Sequence, residues 1–190
     1  MNKKERIIEA AIDIFRENGI EKTPVSSIVK RAGIAQGTFY LYFSSKLALM
    51  PAIAEVMVEK TMAIVEKMVD KDAQFEQKIE QFIDAIFLVA HDYNEIQALI
   101  YSGLASTEHL KEWETVYAPF YDWVSNMLMD AAEQELIRSS IHIERTSKLM
   151  IGLVESAAEQ VYLYDVTDEN EVKKQKEEVH RFLLHALGAQ

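Results

Sequence analysis

Apolar residues recur at helical spacing along most of the chain, and this spacing limits the fold more than any other feature. In residues 4–18 they would form one face of a helix, namely Ile8, Ala11, Ile12 and Phe15. Only six glycines and three prolines occur among 190 residues, which disfavours turn-rich β folds, and no strand-like alternation of useful length occurs. The sequence predicts an all-α fold of about nine helices. They span residues 4–18, 24–31, 35–41, 46–70, 74–92, 95–102, 107–134, 143–164 and 168–187.

Composition argues against several classes of protein. The chain has no cysteine, which excludes disulfide frameworks, thiolate metal sites and cysteine nucleophiles. The five histidines show no ligand spacing, and no Gly-rich phosphate loop or nucleophile motif occurs. We therefore expect no enzyme activity, no cofactor and no metal site. The longest stretch without a charge, 32–45, is shorter than the roughly 18 apolar residues of a membrane span. The charged start contains no secretory h-region, so we expect a cytoplasmic protein with no membrane partner.

Residues 24–41 have the sequence shape of a helix-turn-helix. Thr23 would cap the first helix with its hydroxyl, Pro24 would take the first helical position, and Gly33 would lie in the turn. The helix at 4–18 would supply the third wall of a small core. In such a motif the second helix enters the major groove of DNA.

The exact residues of this segment are more specific than its general helix-turn-helix pattern. Residues 23–46 read TPVSSIVKRAGIAQGTFYLYFSSK, and the run Gly-Thr-Phe-Tyr-x-Tyr-Phe-x-Ser-Lys resembles the signature of the tetracycline-repressor (TetR) family. The resemblance covers about 46 residues. It implies a helix-turn-helix DNA-binding domain at 1–46 and a helical ligand-binding and dimerisation domain at 47–190. It also implies a homodimeric repressor that binds double-stranded operator DNA and is released by a small-molecule inducer.

The matched positions suit contact with DNA. Gly37 lacks a Cβ and would allow close approach. Gln36 and Thr38 would lie on the first turn of the recognition helix, where Gln can pair bidentately with adenine. Tyr40 and Tyr42 would offer hydroxyls to phosphates, or would pack as amphipathic rings.

Lys46 would stand at a helix N-terminus, where a cation is disfavoured unless a phosphate binds there. Ala35 cannot cap the recognition helix, and Ser26 stands where many family members carry Arg. Phe39 and Phe43 are expected in the core. The predicted DNA-binding residues are Thr23, Ser26, Ser27, Gln36, Gly37, Thr38, Tyr40, Tyr42 and Lys46.

The charge is unevenly distributed. The whole chain carries −11, yet residues 1–46 hold eight Lys or Arg against five acids, so the remaining 144 residues carry −14. A basic head on an acidic body would orient the molecule on a polyanion, although random scatter gives the same totals. Lys3, Lys4 and Arg6 would form either a flexible arm toward DNA or a solvated tail.

Residues 143–187 resemble the dimer interface of the family. One predicted stripe comprises Leu149, Leu153, Ala157, Val161 and Tyr164, with Met150 and Val154 beside it. Gly152 and Ser156 would permit close helix approach, and the final helix repeats Val172, Val179 and Ala186 with Phe182 and Leu183 nearby. Two such helices from each subunit would form a four-helix bundle. The alternative is a monomer core.

Aromatic and methionine side chains between Pro51 and Tyr164 suggest a largely apolar inducer site, although such a stripe is more often core. A kink at Pro119, amid these rings, would leave a cavity. A kink at Pro51 would suit a lever that swings the N-terminal head, and the alternative there is a shift in where the helix starts. The predicted ligand-binding residues are Met62, Phe87, Tyr101, Trp113, Tyr117, Phe120, Tyr121, Met127 and Tyr162.

Acids are interleaved with these rings, namely Glu112, Glu114, Asp122, Glu155 and Glu159. If all of them point to solvent, a neutral hydrophobe is expected, and this is the first choice. If one is buried beside an aromatic face, a lipophilic cation is favoured. A helical protein whose head binds another protein remains the alternative to a DNA-binding one.

Overall fold

The computed structural model describes residues 1–105, 113–162 and 168–189, and the secondary-structure elements in this part of the chain are all helices. The prediction of an all-α fold is confirmed, with eight α-helices and one 3₁₀ turn in the described residues. The helices are α1 (Lys3–Asn18), α2 (Val25–Ala32), α3 (Gln36–Tyr42), α4 (Met50–Met68), α5 (Phe75–Ala105), α6 (Trp113–Glu133), α7 (Ile143–Tyr162) and α8 (Glu169–Leu187). The 3₁₀ turn, Leu47–Leu49, comes directly before α4.

The structure differs from the sequence prediction at two places where a helix was expected to break or kink. The helices predicted at 74–92 and 95–102 are one helix, α5, kinked at Tyr93, where φ is −133° and ψ is 21°. Pro51 lies in the first turn of α4, where proline's missing N–H removes no helical hydrogen bond. The predicted kink at Pro51 is therefore wrong, and the alternative of a later helix start is correct. Pro119 lies inside α6, which continues through it.

The chain divides into two compact units. Unit 1 comprises Met1–Met57 and Glu95–Val116, and unit 2 comprises Val58–Asn94 and Tyr117–Gln190. In unit 1, α1 begins with a capping box, in which the side chain of Asn2 accepts from the Glu5 N–H and the side chain of Glu5 accepts from the Asn2 N–H. The first three helices enclose a core whose largest fully buried side chains are Ile7, Ile12, Phe15, Ile28 and Phe39.

Unit 2 has an aromatic core. Phe82 on α5 stacks on Trp123 of α6 with ring centroids 6.1 Å apart, and Phe120 lies 6.0 Å from the same ring of Phe82. Phe82 and Phe120 are almost completely inaccessible to solvent. Such large apolar side chains contribute most of the burial that stabilises a helical layer.

Candidate DNA-binding surface and ligand-binding core

The recognition helix α3 is sharply divided between a buried and an exposed face. Phe39 is 0% exposed and Phe43, just after the helix, is 6% exposed, so their predicted place in the core is confirmed. On the other face Tyr40 is 52%, Leu41 82% and Tyr42 46% exposed. Clustered exposed apolar side chains of this kind are typical of an interaction surface.

The start of α3 is also open to solvent. Gln36 and Gly37 are exposed and Thr38 is half-buried. A Cβ added at Gly37 would meet nothing within 4 Å, so the fold of this chain does not itself require glycine there. As expected, Ala35 stands at the N-cap without a side-chain hydrogen bond.

Thr23 does not play the predicted capping role. The N-cap of α2 is Pro24, with no side-chain cap, and the helix begins at Val25. Thr23 is 1% exposed, and its hydroxyl donates to the carbonyl of Gly19 at 2.7 Å. The hydroxyl therefore gives the carbonyl of Gly19, in the preceding turn, a hydrogen-bond partner. A buried carbonyl without a partner would cost free energy of folding. On α2 itself, Ser26 is exposed and Ser27 half-buried.

Lys46 is engaged with the main chain. Its Nζ lies 2.5 Å from the carbonyl oxygen of Ile20, 2.9 Å from that of Thr23 and 3.4 Å from that of Glu21. These groups form the loop between α1 and α2. The contact joins residues more than 20 positions apart, so no sequence spacing could have indicated it. Ser45 accepts a hydrogen bond from the Ala48 N–H, at the 3₁₀ turn that precedes α4.

The basic residues at the N-terminus are not a flexible arm. Lys3 and Lys4 belong to α1, and the guanidinium of Arg6 donates to the carbonyls of Ala32 at 2.5 Å and Gly33 at 3.2 Å. The prediction of an arm or a solvated tail is therefore wrong for Arg6. A second arginine, Arg31, is also bound within the protein.

Arg31 joins α2 to α1. Its Nη2 donates to both carboxylate oxygens of Glu17, at 3.0 Å and 2.8 Å. This hydrogen bonding, and the charge of Glu17, raise the pKa of Arg31. Part of the positive charge of residues 1–46 is thus paired within this segment itself.

In unit 2, the predicted ligand-binding residues separate into groups. Phe87, Tyr117, Phe120 and Met127 are buried, and Met62, Tyr121 and Tyr162 are half-buried. The side chains of Tyr101 and Trp113 lie outside the described residues. Tyr117 contacts Phe120 and Tyr121, with ring centroids 6.3 Å and 5.6 Å apart.

The ring of Tyr162 makes a separate contact, edge to face, with Phe87 at 6.3 Å and with His91 at 5.3 Å. Burial, and then the carboxylate of Asp92, raise the pKa of the Tyr162 phenol. Met127 lies elsewhere, in a groove of about 790 Å³ that Phe75 and Leu184 also line.

Two acids of α7 point inward, which the sequence left open. Glu155 is 8% exposed, and its Oε1 accepts a hydrogen bond from the Tyr117 hydroxyl at 3.0 Å. One turn later, Glu159 has a buried Oε1 with no hydrogen-bond partner among the described residues. Burial raises the pKa of the Glu159 carboxyl. Residues 155, 159 and 162 share one helix face, so their helical spacing was the sequence signal that could have indicated a common environment for these side chains.

The predicted dimer stripe is divided between the core and the surface. Buried in unit 2 are Met150, Val154, Ala157, Val179 and Leu183. By contrast, Leu149 is 73% and Phe182 58% exposed, and Gly152, Ser156 and Ala186 are exposed with them. Tyr164 lies outside the described residues. The exposed set therefore leaves apolar side chains on α7 and α8 that none of the described residues covers.

None of the helices in the described ranges is both long and apolar enough to cross a membrane. Within those same ranges, no group of three or more His, Asp or Glu side chains is arranged to hold a metal ion.

Known proteins resemble the chain over its whole length. Residues 7–53 match the family described as bacterial regulatory proteins, tetR family, and residues 79–187 match the tetracyclin repressor-like C-terminal domain. The HTH-type transcriptional regulator YvdT of Bacillus subtilis is 40% identical over 186 residues, covering 98% of this chain and 95% of that protein.

Solved structures share the fold. The fatty acid degradation regulator FadR of Bacillus halodurans superposes with a TM-score of 0.80 at 20% identity, covering 100% of this chain and 98% of that one. FadR of Bacillus subtilis in complex with stearoyl-CoA gives 0.71 at 19% identity, covering 96% of both chains. With matches in both halves and a relative 40% identical over nearly the whole chain, this protein belongs to the TetR family of transcriptional regulators.

Proposed function

We propose that the protein is a repressor that leaves its operator when a small, largely apolar inducer binds. In this proposal residues 1–46 form the DNA-binding domain and residues 47–190 the ligand-binding and dimerisation domain. Two copies associate through residues 143–187 and contact a two-fold pseudo-palindromic site. Membership of a family of DNA-binding regulators supports the first half of this proposal.

The observation that carries it is the exposed face of α3. Gln36, Gly37 and Thr38 begin this face, and Tyr40 and Tyr42 continue it. The buried Phe39 and Phe43 anchor the helix from behind. We propose that the first three read bases or allow close approach, and that the tyrosines bind phosphates. Ser26 and Ser27 on α2 extend the same contact, and Thr23 and Lys46 complete the proposed DNA-binding residues.

The homodimer is supported by the exposed apolar side chains of α7 and α8. Leu149 and Phe182 are the large ones among them, and Gly152 and Ser156 leave room for a close helix. Apolar side chains of this size gain about 1.5–3 kcal/mol each when fully buried. A two-fold axis through this face would match a two-fold operator.

The inducer is proposed to bind in unit 2, near the rings of Tyr117 and Tyr162. Pockets are mostly apolar with a few placed polar groups, and here Glu155 and Glu159 supply the polar groups. The likeness to a regulator bound to stearoyl-CoA favours an acyl compound. The burial of Glu155 beside Tyr117 favours instead a lipophilic cation, through charge attraction and cation–π contact.

DNA binding is tested by titrating a fluorescent duplex, selected from a random library, across a salt series. If each subunit neutralises about four phosphates, the slope of log K against log salt is about −7 per dimer. A slope shallower than about −2 would indicate weak nonspecific contact and would contradict the proposal.

The inducer is tested by a thermal-shift screen of acyl-CoA thioesters, neutral lipophiles and cationic dyes, followed by operator titration with each hit. By linkage, a ligand that lowers DNA affinity must bind less tightly to the DNA-bound dimer. Hits that stabilise the protein without changing operator affinity would show a cavity without a switch and would overturn the inducer proposal.

A further inference from the structure

Glu159 on α7 has an unused hydrogen-bond acceptor inside unit 2. Its side chain is half-buried, and its buried Oε1 has no hydrogen-bond partner among the described residues. In that part of the chain, no other buried side-chain oxygen or nitrogen lacks a partner. A buried acceptor without a donor costs folding free energy, so such an atom needs an explanation, and a donor from outside the chain is one.

The neighbouring acid on the same helix face makes the contrast clear. Glu155, one turn earlier, is 8% exposed, and its Oε1 accepts a hydrogen bond from the hydroxyl of Tyr117 at 3.0 Å. Cβ atoms four positions apart on a helix are about 5–6 Å apart, so the two carboxyls are neighbours. The fold thus provides a donor for the carboxyl of Glu155 and leaves Oε1 of Glu159 without one.

Aromatic rings lie one turn further along the same face. Tyr162, three positions after Glu159, packs its ring edge to face against Phe87 and His91 of α5, at 6.3 Å and 5.3 Å between centroids. Residues three positions apart are also neighbours on a helix surface. An apolar ligand bound against these rings would therefore bring a head group at its end to the carboxyl of Glu159.

The charges around this face are mostly negative. Glu155 lies on α7 itself, and the carboxylate of Asp92 on α5 acts on Tyr162, where it helps to raise the pKa of the phenol. The ring of His91 lies beside Asp92, with 2.9 Å between Nδ1 and Oδ1. Glu159 forms no ion pair with any described residue. An anionic head group would be repelled at this place, and a cationic one would be attracted.

We propose that Glu159 determines the specificity of the inducer site by accepting a hydrogen bond from a protonated primary amine at the end of an apolar ligand. The inference rests on the proposed inducer site in unit 2 and narrows its ligand to one chemical class. An ammonium group supplies both a donor and a positive charge, and charge-assisted hydrogen bonds are stronger than neutral ones. A turn of the carboxyl about its terminal bond, which is a soft torsion, presents Oε1 on the accessible side.

The test compares four ligands that share an octyl chain and differ only in the head group. They are octylamine, octyltrimethylammonium, octanol and octanoate, each used below its micelle-forming concentration. Isothermal titration calorimetry measures their affinities for the full-length parent protein and for Glu159→Gln, which keeps the shape of the side chain but removes its charge. Glu144→Gln is the matched control, because Glu144 is an exposed acid on the same helix.

We expect the parent protein to bind octylamine at least about tenfold more tightly than octanol, as for a charge-assisted hydrogen bond, and octanoate most weakly. Glu159→Gln should reduce the preference for octylamine over octanol to about threefold or less. Glu144→Gln should keep the preference of the parent protein.

Proton release gives a second measurement that a purely structural role would not change. Burial raises the pKa of the Glu159 carboxyl, and an ammonium group favours its ionised form, so octylamine should displace a proton from the parent protein in mildly acidic buffer. Titrations in two buffers of different ionisation enthalpy count these protons. Glu159→Gln should release fewer, by up to about one per subunit. Equal release by both proteins would contradict the inference.

Other outcomes would also overturn it. These are absence of octylamine binding, equal affinity of the parent protein for octylamine and octanol, and a preference that survives Glu159→Gln. Equal affinity for octyltrimethylammonium would do the same, because that ion carries the charge without an N–H donor. Loss of the preference in Glu155→Gln alone would assign the amine to Glu155 instead. The proposed function fails separately, if no bound ligand changes operator affinity, whichever head group binds most tightly.

Discussion

The hydroxyl of Tyr117 on α6 donates to Oε1 of Glu155 on α7 at 3.0 Å, and both side chains are 8% exposed. Removing this donor leaves a buried carboxyl oxygen with one partner fewer. Tyr117→Phe should therefore lower the free energy of unfolding by about 1–3 kcal/mol. The measurement is denaturant unfolding at one fixed protein concentration, because a dimer's stability depends on concentration.

The control for this variant is Tyr40→Phe, which removes the same hydroxyl from a ring that is 52% exposed. It should change stability by no more than about 0.5 kcal/mol. A double-mutant cycle with Glu155→Met isolates the interaction free energy between Tyr117 and Glu155. A coupling energy below about 0.5 kcal/mol would show that the two groups do not stabilise one another.

Glu159 should make stability depend on pH. Burial raises the pKa of its carboxyl in the folded protein, so the folded state holds the proton more tightly than the unfolded state. Ionised Glu159 thus destabilises the fold. The penalty grows as pH rises from the ordinary glutamate pKa through the raised one, and is constant above it. Glu159→Gln should melt at a higher temperature than the parent near neutral pH and lose this advantage in acid.

The comparison for Glu159 is Glu144→Gln, an exposed acid on the same helix. Thermal melts from acid to neutral pH should show the pH-dependent gain for Glu159→Gln alone. A gain of the same size at every pH, or one shared by Glu144→Gln, would refute ionisation of Glu159 as its cause.

Gln36 should contribute to the preference for particular base pairs, whereas Tyr42 should contribute equally to the binding of all sites. Gln36 is exposed on the first turn of α3, from which a side chain reaches base edges. Gln36→Ala should relax preference at one base pair per half-site by roughly 1–3 kcal/mol. Tyr42→Phe should weaken all sites about equally. Selected-site sequencing of both variants checks this, and an unchanged profile for Gln36→Ala would mean that α3 docks differently.

The exposed apolar face of α7 and α8 should hold the dimer together. Leu149→Glu and Phe182→Glu each place a carboxylate on that face and should weaken association at least tenfold, since each removes about 1.5–3 kcal/mol of apolar burial per subunit. Sedimentation velocity over a concentration series measures it. Met129→Glu on α6 is the control, because Met129 is 43% exposed and lies outside residues 143–187. Equal association by all three variants would place the interface elsewhere.

The recognition helix could be predicted in detail because its signal is local. The alternation that buries Phe39 and Phe43 and exposes Tyr40 and Tyr42 lies within five consecutive residues. Lys46 shows the limit of such reasoning. Its carbonyl partners lie 23 to 26 residues earlier, where they depend on how three helices pack.

In unit 2 the helical spacing of residues indicated which of them share a helix face, but not which other residues that face contacts. Residues 155, 159 and 162 share a face by helical periodicity alone, yet only the packed structure shows that this face turns inward. The same holds for Leu149, which belongs to an apolar stripe but is exposed in this chain. The kink at Tyr93 carries neither glycine nor proline; the side chain of the next residue, Asn94, donates to the carbonyl of Tyr162.

The composition of unit 1 has a consequence for protein engineering. This unit takes in Glu95–Val116 as well as the N-terminal 57 residues, so the backbone crosses between the units three times. Within the added segment Ile96 and Ile100 are 1% and 3% exposed. A chimaera that joins residues 1–46 to the remainder of another regulator would separate the N-terminal helices from a segment of their own unit. Operator specificity is therefore better exchanged by replacing exposed residues of α3 than by transplanting the N-terminal part whole.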